Sequence, residues 1–384
     1  MDITIQPALL RGEITVIPSK SQAHRLLICA AFADRETLLL CPQTNWDIEA
    51  TADCLRALGA RIEYTAAGYM VTPIKEVVKT AVLDCCESGS TLRFMLPIVG
   101  ALGVDATFQM AGRLPQRPLS PLWEELERMG CTLTRPTEST IRCTGKLKPG
   151  KYSIDGGVSS QFITGLLFAL ALIDGETELS ITGKAESRPY IEMTRKALEL
   201  FRAPNFTSPG TVTVEGDWSN GAFFLAAKAL GSELNVLGLD ADSLQGDRAV
   251  AEILEKLVSG AAIISAADIP DLVPILAVVA AAKQGATFTN IGRLRLKESD
   301  RVASVIAMIT ALGGEATADD DTLYVNATGL HGGVVDSCND HRIAMAAAIA
   351  ATVCKEPVTI LGAQAVNKSY PQFWEEYRRL GGKL

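Results

Sequence analysis

Apolar residues recur at three- and four-residue spacing through 21–32, 90–102, 121–129, 160–172, 191–201, 220–230, 249–257, 272–282, 300–312 and 341–354, and each stretch predicts a helix. Short runs at 211–214 and 323–325 read as strands between them. A longer period overlies this pattern. Helical segments end in Leu58-Gly59, Met129-Gly130, Leu312-Gly313 and Leu380-Gly381, and each glycine is followed at once by a strand-like run. Glycine suits the position after a helix because it takes the left-handed conformation without a Cβ penalty. The spacings, 71 residues from Gly59 to Gly130 and 68 from Gly313 to Gly381, predict α/β units of about 70 residues stacked in two halves.

With 384 residues, 48% apolar and 21% charged, the chain can bury a sizeable core and spans about two or three domains by the length prior. A net charge of −8 argues against nucleic-acid binding as the main task, so any anion site must be a local concentration of cations. Nine scattered cysteines without a CxxC pair, and only three histidines, suggest neither a metal site nor a disulfide framework. Residues 1–22 lack a basic stretch followed by an apolar one, and no apolar run reaches the ~18 residues that a spanning helix needs. No membrane association and a cytoplasmic location are therefore expected.

Local cation concentrations stand at predicted helix starts, where unpaired N–H groups and the positive dipole end favour anions. Lys20, Ser21 and Arg25 open the first helix, Arg25 one turn beyond Ser21. Around Gly89 an oxyanion can approach the backbone while Ser90 and Thr91 cap the next helix. Ser159, Ser160 and Gln161 open another, and Ser187-Arg188-Pro189-Tyr190 a fourth. Residues 293–301 hold Arg293, Arg295, Lys297 and Arg301 beside Glu298 and Asp300, and Asp340-His341-Arg342 directly precedes an apolar run. Taken singly, each segment is equally an ordinary capped helix or a solvated charge run. Their number and order are harder to assign to solvation alone.

That order resembles the enolpyruvyl transferase family across nearly the whole chain. PSKSQAHRLLICAA is similar to the family's PSKSxSNRALLLAA, GRLPQRPLSPL to its arginine loop and GGVSSQFITGLL to its SSQFLTALL; ADIPDLVPILAVVAA, RLKESDRVASV, NDHRIAMAAA and NKSYPQFW follow in family order. The resemblance implies an α/β fold of two similar domains, each of three βαβαββ units around parallel helices, an inside-out α/β barrel. The domains would be 18–214 and 1–17 plus 215–384, with the active site in the cleft between them. It implies transfer of the enolpyruvyl group of phosphoenolpyruvate to the 5-hydroxyl of shikimate 3-phosphate, with release of phosphate, in the route to chorismate and the aromatic amino acids. Carried over position by position, Lys20, Gly89, Arg117, Gln161, Arg301, Arg342 and Lys368 would surround phosphoenolpyruvate. Lys20, Ser21, Arg25, Ser159, Ser160, Gln161, Ser187, Asp271 and Lys297 would hold shikimate 3-phosphate. Asp271 would handle the hydroxyl proton, Glu298 and Lys20 the protonation and elimination steps, and His341 would support them. No metal or cofactor, and a monomer, are expected.

Three departures from the family pattern matter: Glu87 stands where Asn is usual, Arg293 where Asn is frequent, and Arg188 where Lys is common. Asp271 also precedes Leu272, where it can serve equally as a helix cap. No Walker loop or dinucleotide fingerprint appears, which removes the kinase and dehydrogenase readings. The related branch that acts on UDP-N-acetylglucosamine carries a loop cysteine with no counterpart in residues 112–117. A noncatalytic anion-binding relative would keep the cations and lose Asp271, Glu298 and His341, all of which are present.

Overall fold

The computed structural model describes residues 1–184 and 186–384. The chain forms two compact units, Pro18–Val214 and Met1–Ile17 with Glu215–Leu384. It opens with β1 (Ile3–Ile5) and β2 (Arg11–Thr15), which belong to the second of these.

The unit Pro18–Val214 runs α1 (Lys20–Ala31), β3 (Thr37–Leu40), α2 (Trp46–Ala57), β4 (Arg61–Thr65), β5 (Gly68–Thr72), β6 (Thr80–Asp84), α3 (Gly89–Leu102) and β7 (Asp105–Gln109). It continues through α4 (Leu122–Arg128), β8 (Cys131–Thr137), β9 (Thr140–Gly145), β10 (Gly150–Asp155), α5 (Ser160–Leu170), β11 (Thr177–Thr182), α6 (Arg188–Leu200) and β12 (Thr211–Thr213). Its sheets are ordered β12-β3-β5-β4, β6-β7-β9-β8 and β10-β11. Each begins with a parallel pair, β6-β7 and β10-β11 joined through α3 and α5 and β12-β3 formed by strands from the two ends of the unit, and the first two sheets are closed by an antiparallel hairpin. Around a core that includes Leu27, Leu92, Phe94, Phe162 and Leu166, α3 packs on α5, α5 on α6 and α6 on α1. Gly165 allows the closest of these approaches: a Cβ there would lie 2.2 Å from the carbonyl oxygen of Arg93.

The other unit continues with α7 (Trp218–Ala229), β13 (Glu233–Leu237), α8 (Val250–Ser259), β14 (Ala262–Ser265), α9 (Val273–Ala282), β15 (Ala286–Thr289) and α10 (Arg301–Ala311). Then come β16 (Ala316–Ala318), β17 (Thr322–Val325), β18 (Gly333–Asp336), α11 (His341–Ala350), β19 (Val358–Leu361) and α12 (Phe373–Arg379). The sheets are β13-β2, β14-β15-β17-β16 and β1-β19-β18. The last is closed by β1, antiparallel to β19, and by a bridge from Gln6 to Lys383. The middle helices α7, α9 and α11 pack on one another, and α9 is apolar on every side because every side is covered.

The recurrent glycines mark the completed repeats. Gly59, Gly130, Gly313 and Gly381 follow α2, α4, α10 and α12, all at positive φ, and each turns the chain into the next strand or bridge. The second helices of the repeats β10–α5–β11–α6 and β2–α7–β13–α8 end without that signal, and these two repeats have no closing hairpin. Helix boundaries fall close to the sequence expectation, except that the stretch 341–354 ends as a helix at Ala350. The helices leading into Gly59 and Gly381, implied by the repeat, are present as α2 and α12.

Candidate active site

Within the unit Pro18–Val214, the starts of α1, α3 and α5 carry the polar cluster. Ser19 caps α1, and Lys20, its first residue, places Nζ 2.7 Å from Asp47 Oδ2 on α2. Ser88, rather than Ser90 or Thr91, caps α3 by accepting from the Thr91 N–H. Ser90 is thereby left to accept from Gln161 Nε2 at 2.8 Å, while Gln161 Oε1 accepts from Arg93 Nη1 at 2.7 Å. Arg93 also donates to the carbonyl of Pro118 and lies over the Phe162 ring. A Cβ on Gly89 would lie 2.6 Å from Arg117 Nη1 and 2.9 Å from Arg93 Nη1, so two guanidinium groups converge on the backbone at the start of α3. Gly89, Arg93, Arg117 and Gln161 thus bring a helix N-terminus, two Arg forks and an amide together, groups of the kind that can hold an anion.

Ser159 caps α5 through the Gln161 N–H, with Ser160 buried beside it. Ser187 has φ 53°, a strained conformation for a residue other than glycine, and its side chain does not cap α6. Arg25 differs from the expectation that it converges with Lys20 and Ser21 on a ligand. Its guanidinium turns inward and donates to Ser21 O, Thr194 Oγ1, Thr164 Oγ1 and Tyr190 O, tying α1 to α5 and α6. Burial lowers its pKa to about 10, so it stays charged at neutral pH.

In the other unit the cluster is built on Arg301. This side chain is 1% exposed and donates to Asp271 Oδ1 at 2.5 Å, Glu298 Oε2 at 2.6 Å and Asp340 Oδ2 at 2.8 Å. Asp340 is fully buried, accepts from Ser299 Oγ, and caps α11 through the Arg342 N–H. Asp271 is no cap: α9 starts after Leu272 without a side-chain cap bond. Its carboxylate instead lies 3.2 Å from Lys297 Nζ and 3.6 Å from Arg342 Nη2 in addition to Arg301. Burial alone would raise the Asp271 pKa, but Arg342, Lys297 and Arg301 outweigh it and hold the carboxyl well below the usual range. Burial lowers Lys297 to about 8 against the opposing pull of Asp271. His341 is buried as the first residue of α11, and Lys368 donates to the carbonyl of Asn339 at 2.6 Å.

Similarity to known proteins extends over nearly the whole chain. The family model described as EPSP synthase (3-phosphoshikimate 1-carboxyvinyltransferase) matches residues 5–377. The chain belongs to the EPSP synthase family. Proteins named 3-phosphoshikimate 1-carboxyvinyltransferase from Clostridium kluyveri and Clostridium acetobutylicum are 37% and 38% identical to it, each alignment covering 100% of this chain and 98% of the relative. Those alignments run to 418 and 420 positions against 384 residues, so the relatives carry segments that this chain lacks. The solved EPSP synthase from Acinetobacter baumannii has the same fold, with a TM-score of 0.78 at 23% identity over 99% of this chain and 98% of that one. The enolpyruvyl transferase NikO from Streptomyces tendae also scores 0.78, at 18% identity over 99% and 97%.

Among EPSP synthase family residues expected from the sequence, Lys20, Ser21 and Arg25 share α1 and Ser159, Ser160 and Gln161 open α5. Gly89 and Arg117 come together, as do Asp271, Lys297, Glu298, Arg301 and Arg342. Sequence reasoning places Arg93, one turn after Gly89, with Lys20, Arg25 and Arg117 among the cations that an anionic substrate would meet. It passes over Asp247 and Ser219. Asp247, fully buried, accepts from the Ser219 hydroxyl, and that hydroxyl accepts from Arg342 Nη2 at 2.7 Å. Burial first, and the charge of Asp271 second, raise Asp247 to about 6. Nothing local in the sequence around Gln245-Gly246-Asp247 announces this role, because the contact to Arg342 spans nearly a hundred residues.

Proposed function

We propose that this protein transfers the enolpyruvyl group of phosphoenolpyruvate to the 5-hydroxyl of shikimate 3-phosphate, forming 5-O-(1-carboxyvinyl)-3-phosphoshikimate and phosphate. The observation that carries the reading is Asp271, a carboxylate held by three cations instead of capping its helix. Family membership and the names of the relatives support it. Gly89, Arg117, Gln161 and Lys20 suit the donor's anionic groups, and Ser21, Ser159, Ser160 and Ser187 suit the acceptor. Asp271, Glu298, Lys297, Arg301, Arg342 and Lys368 supply the proton handling and further cations.

In this scheme Asp271 accepts the 5-hydroxyl proton as the oxygen attacks C2 of phosphoenolpyruvate. Lys20 and Glu298 handle the protonation of C3 and the elimination. The tetrahedral adduct then returns a C3 proton and expels phosphate, which regenerates the vinyl group. A carboxylate with so depressed a pKa is a weak base, so its proton transfer accompanies C–O bond formation and does not precede it. The cations stabilise charge developing on the adduct, work assigned to protein groups with no metal step. We place the enzyme in the cytoplasm as a monomer. Among the described residues, no helix is long and apolar enough to cross a membrane.

The direct test is incubation with phosphoenolpyruvate and shikimate 3-phosphate, following phosphate release and product mass; a parallel reaction receives UDP-N-acetylglucosamine instead. Product in the first alone is expected, and phosphate release only in the second would overturn the reading. Gly89→Ala should push the Arg117 and Arg93 tips off the helix start and raise KM for phosphoenolpyruvate about tenfold, the scale of one lost good polar contact. An unchanged KM would separate Gly89 from the donor. Lys297 yields a pH test. If its charge holds the acceptor, kcat/KM for shikimate 3-phosphate falls as pH rises through about 8, and Lys297→Arg moves that limb to higher pH.

A further inference from the structure

His24 is 1% exposed on α1, and the chemistry above makes no use of it. Its Nδ1 lies 2.7 Å from Thr51 Oγ1 on α2, which is 2.7 Å from Thr91 Oγ1 on α3, which donates to Ser88 Oγ at 2.8 Å. Ser88 caps α3 immediately before Gly89. Nε2 of His24 has no hydrogen-bond partner among the described residues, while the ring meets Phe94 edge-on.

The order of protons along this chain follows from counting them. Each hydroxyl has one proton to give. Thr91 spends its proton on Ser88, so it can meet Thr51 only as acceptor. Thr51 then spends its own on Thr91 and must accept from His24. His24 Nδ1 therefore carries the proton, and the unpartnered Nε2 is a bare lone pair. That assignment is the less costly one, since an orphaned buried N–H is rarer than an under-satisfied acceptor. The opposite order would bury an unpaired N–H and require Ser88 to donate back to Thr91 against the direction that the geometry supports.

We propose that His24, as the neutral Nδ1–H tautomer, is a positioning residue for the donor-binding turn at Gly89, acting through Thr51, Thr91 and Ser88. The inference rests on the enolpyruvyl transfer reading above. One end of the chain fixes α1, which carries Lys20. Its middle crosses α2 at Thr51, on the helix that also carries Asp47, the residue paired with Lys20. Its far end holds the cap that orients the first N–H groups of α3 beside Arg93 and Arg117. Burial, with the nearby charges of Lys20 and Arg25, depresses the His24 pKa well below its ordinary value and keeps the ring neutral.

The test compares His24→Leu with His24→Asn in the full chain. Leu removes the donor and keeps the bulk; the Asn side-chain N–H can stand where Nδ1–H does. His24→Leu should raise KM for phosphoenolpyruvate about tenfold, KM for shikimate 3-phosphate staying within about twofold, and His24→Asn should recover most of the loss. Equal losses in both variants, or equal effects on both substrates, would reduce His24 to packing and overturn the proposal. If His24→Leu fails to fold, Thr51→Val cuts the same chain at a near-isosteric position and should show the same donor-selective rise; an unchanged donor KM there overturns it. Nitrogen-15 spectra of the wild type provide an independent reading, since only three histidines contribute. An Nε2–H tautomer for His24 would contradict the proton order. An inactive wild type would sink the functional reading itself, whereas an active wild type with an Nε2–H ring would sink only this inference.

Discussion

Asp271→Asn should lower kcat by at least ~100-fold, the scale of a lost general base, with shikimate 3-phosphate binding weakened far less. The substitution keeps the shape and hydrogen-bonding reach of the side chain but removes the negative charge that Lys297, Arg301 and Arg342 share. A second effect distinguishes this from loss of folding. Asp271 is what pulls the Lys297 pKa upward against burial, so in the variant Lys297 should lose its proton at a pH below about 8. The alkaline limb of the residual activity should move to lower pH accordingly. Turnover within a few-fold of wild type in a folded variant would mean that Asp271 only balances charge.

Asp340→Ala should destabilise its unit by about 3–5 kcal/mol, the range found when one partner of a buried ion pair is removed. Asp340 lies fully buried and serves three groups at once: Arg301, the Ser299 hydroxyl and the first turn of α11. Alanine leaves the 1%-exposed Arg301 with less compensation and uncaps the helix. A lower urea midpoint is expected, together with faster hydrogen exchange in peptides from 215–384 than in those from 18–214. The pH dependence has a defined sign. Burial would raise the Asp340 carboxyl, but Arg301 leads the groups that hold it below its unfolded value. Its stabilisation is therefore present above the ordinary carboxylate range and is lost as pH falls through the depressed value. The wild type should lose stability in that acid range more steeply than Asp340→Ala; parallel curves would show that the pair contributes nothing.

Much of this architecture is legible in the sequence. Helices declare themselves through local apolar spacing, and the four Leu-Gly or Met-Gly stops appear as left-handed glycines after α2, α4, α10 and α12. The same signal is absent after α6 and α8, which end the two repeats that lack a hairpin. The helix starts that carry Lys20, Gly89, Ser160 and Arg301 were likewise identifiable, since capping chemistry acts over about one turn.

What the sequence by itself determined, then, is the set of elements, the positions of the cations at their N-termini and the family resemblance those positions carry. Only the tertiary structure decided what each charged group does. Arg25 and Arg301 look alike as cations near helix starts, yet Arg25 spends its donors on hydroxyls and carbonyls, while Arg301 gathers three carboxylates. Asp271 could be read as a cap until Lys297, Arg301 and Arg342 were seen around it, and the histidine on α1 acquires a partner only through Thr51 on a different helix. The physical reason is one of range. Propensity, capping and turn chemistry act between residues a few positions apart, whereas the charge state of a buried group is set by neighbours that folding brings in from 30, 39 or 71 residues away.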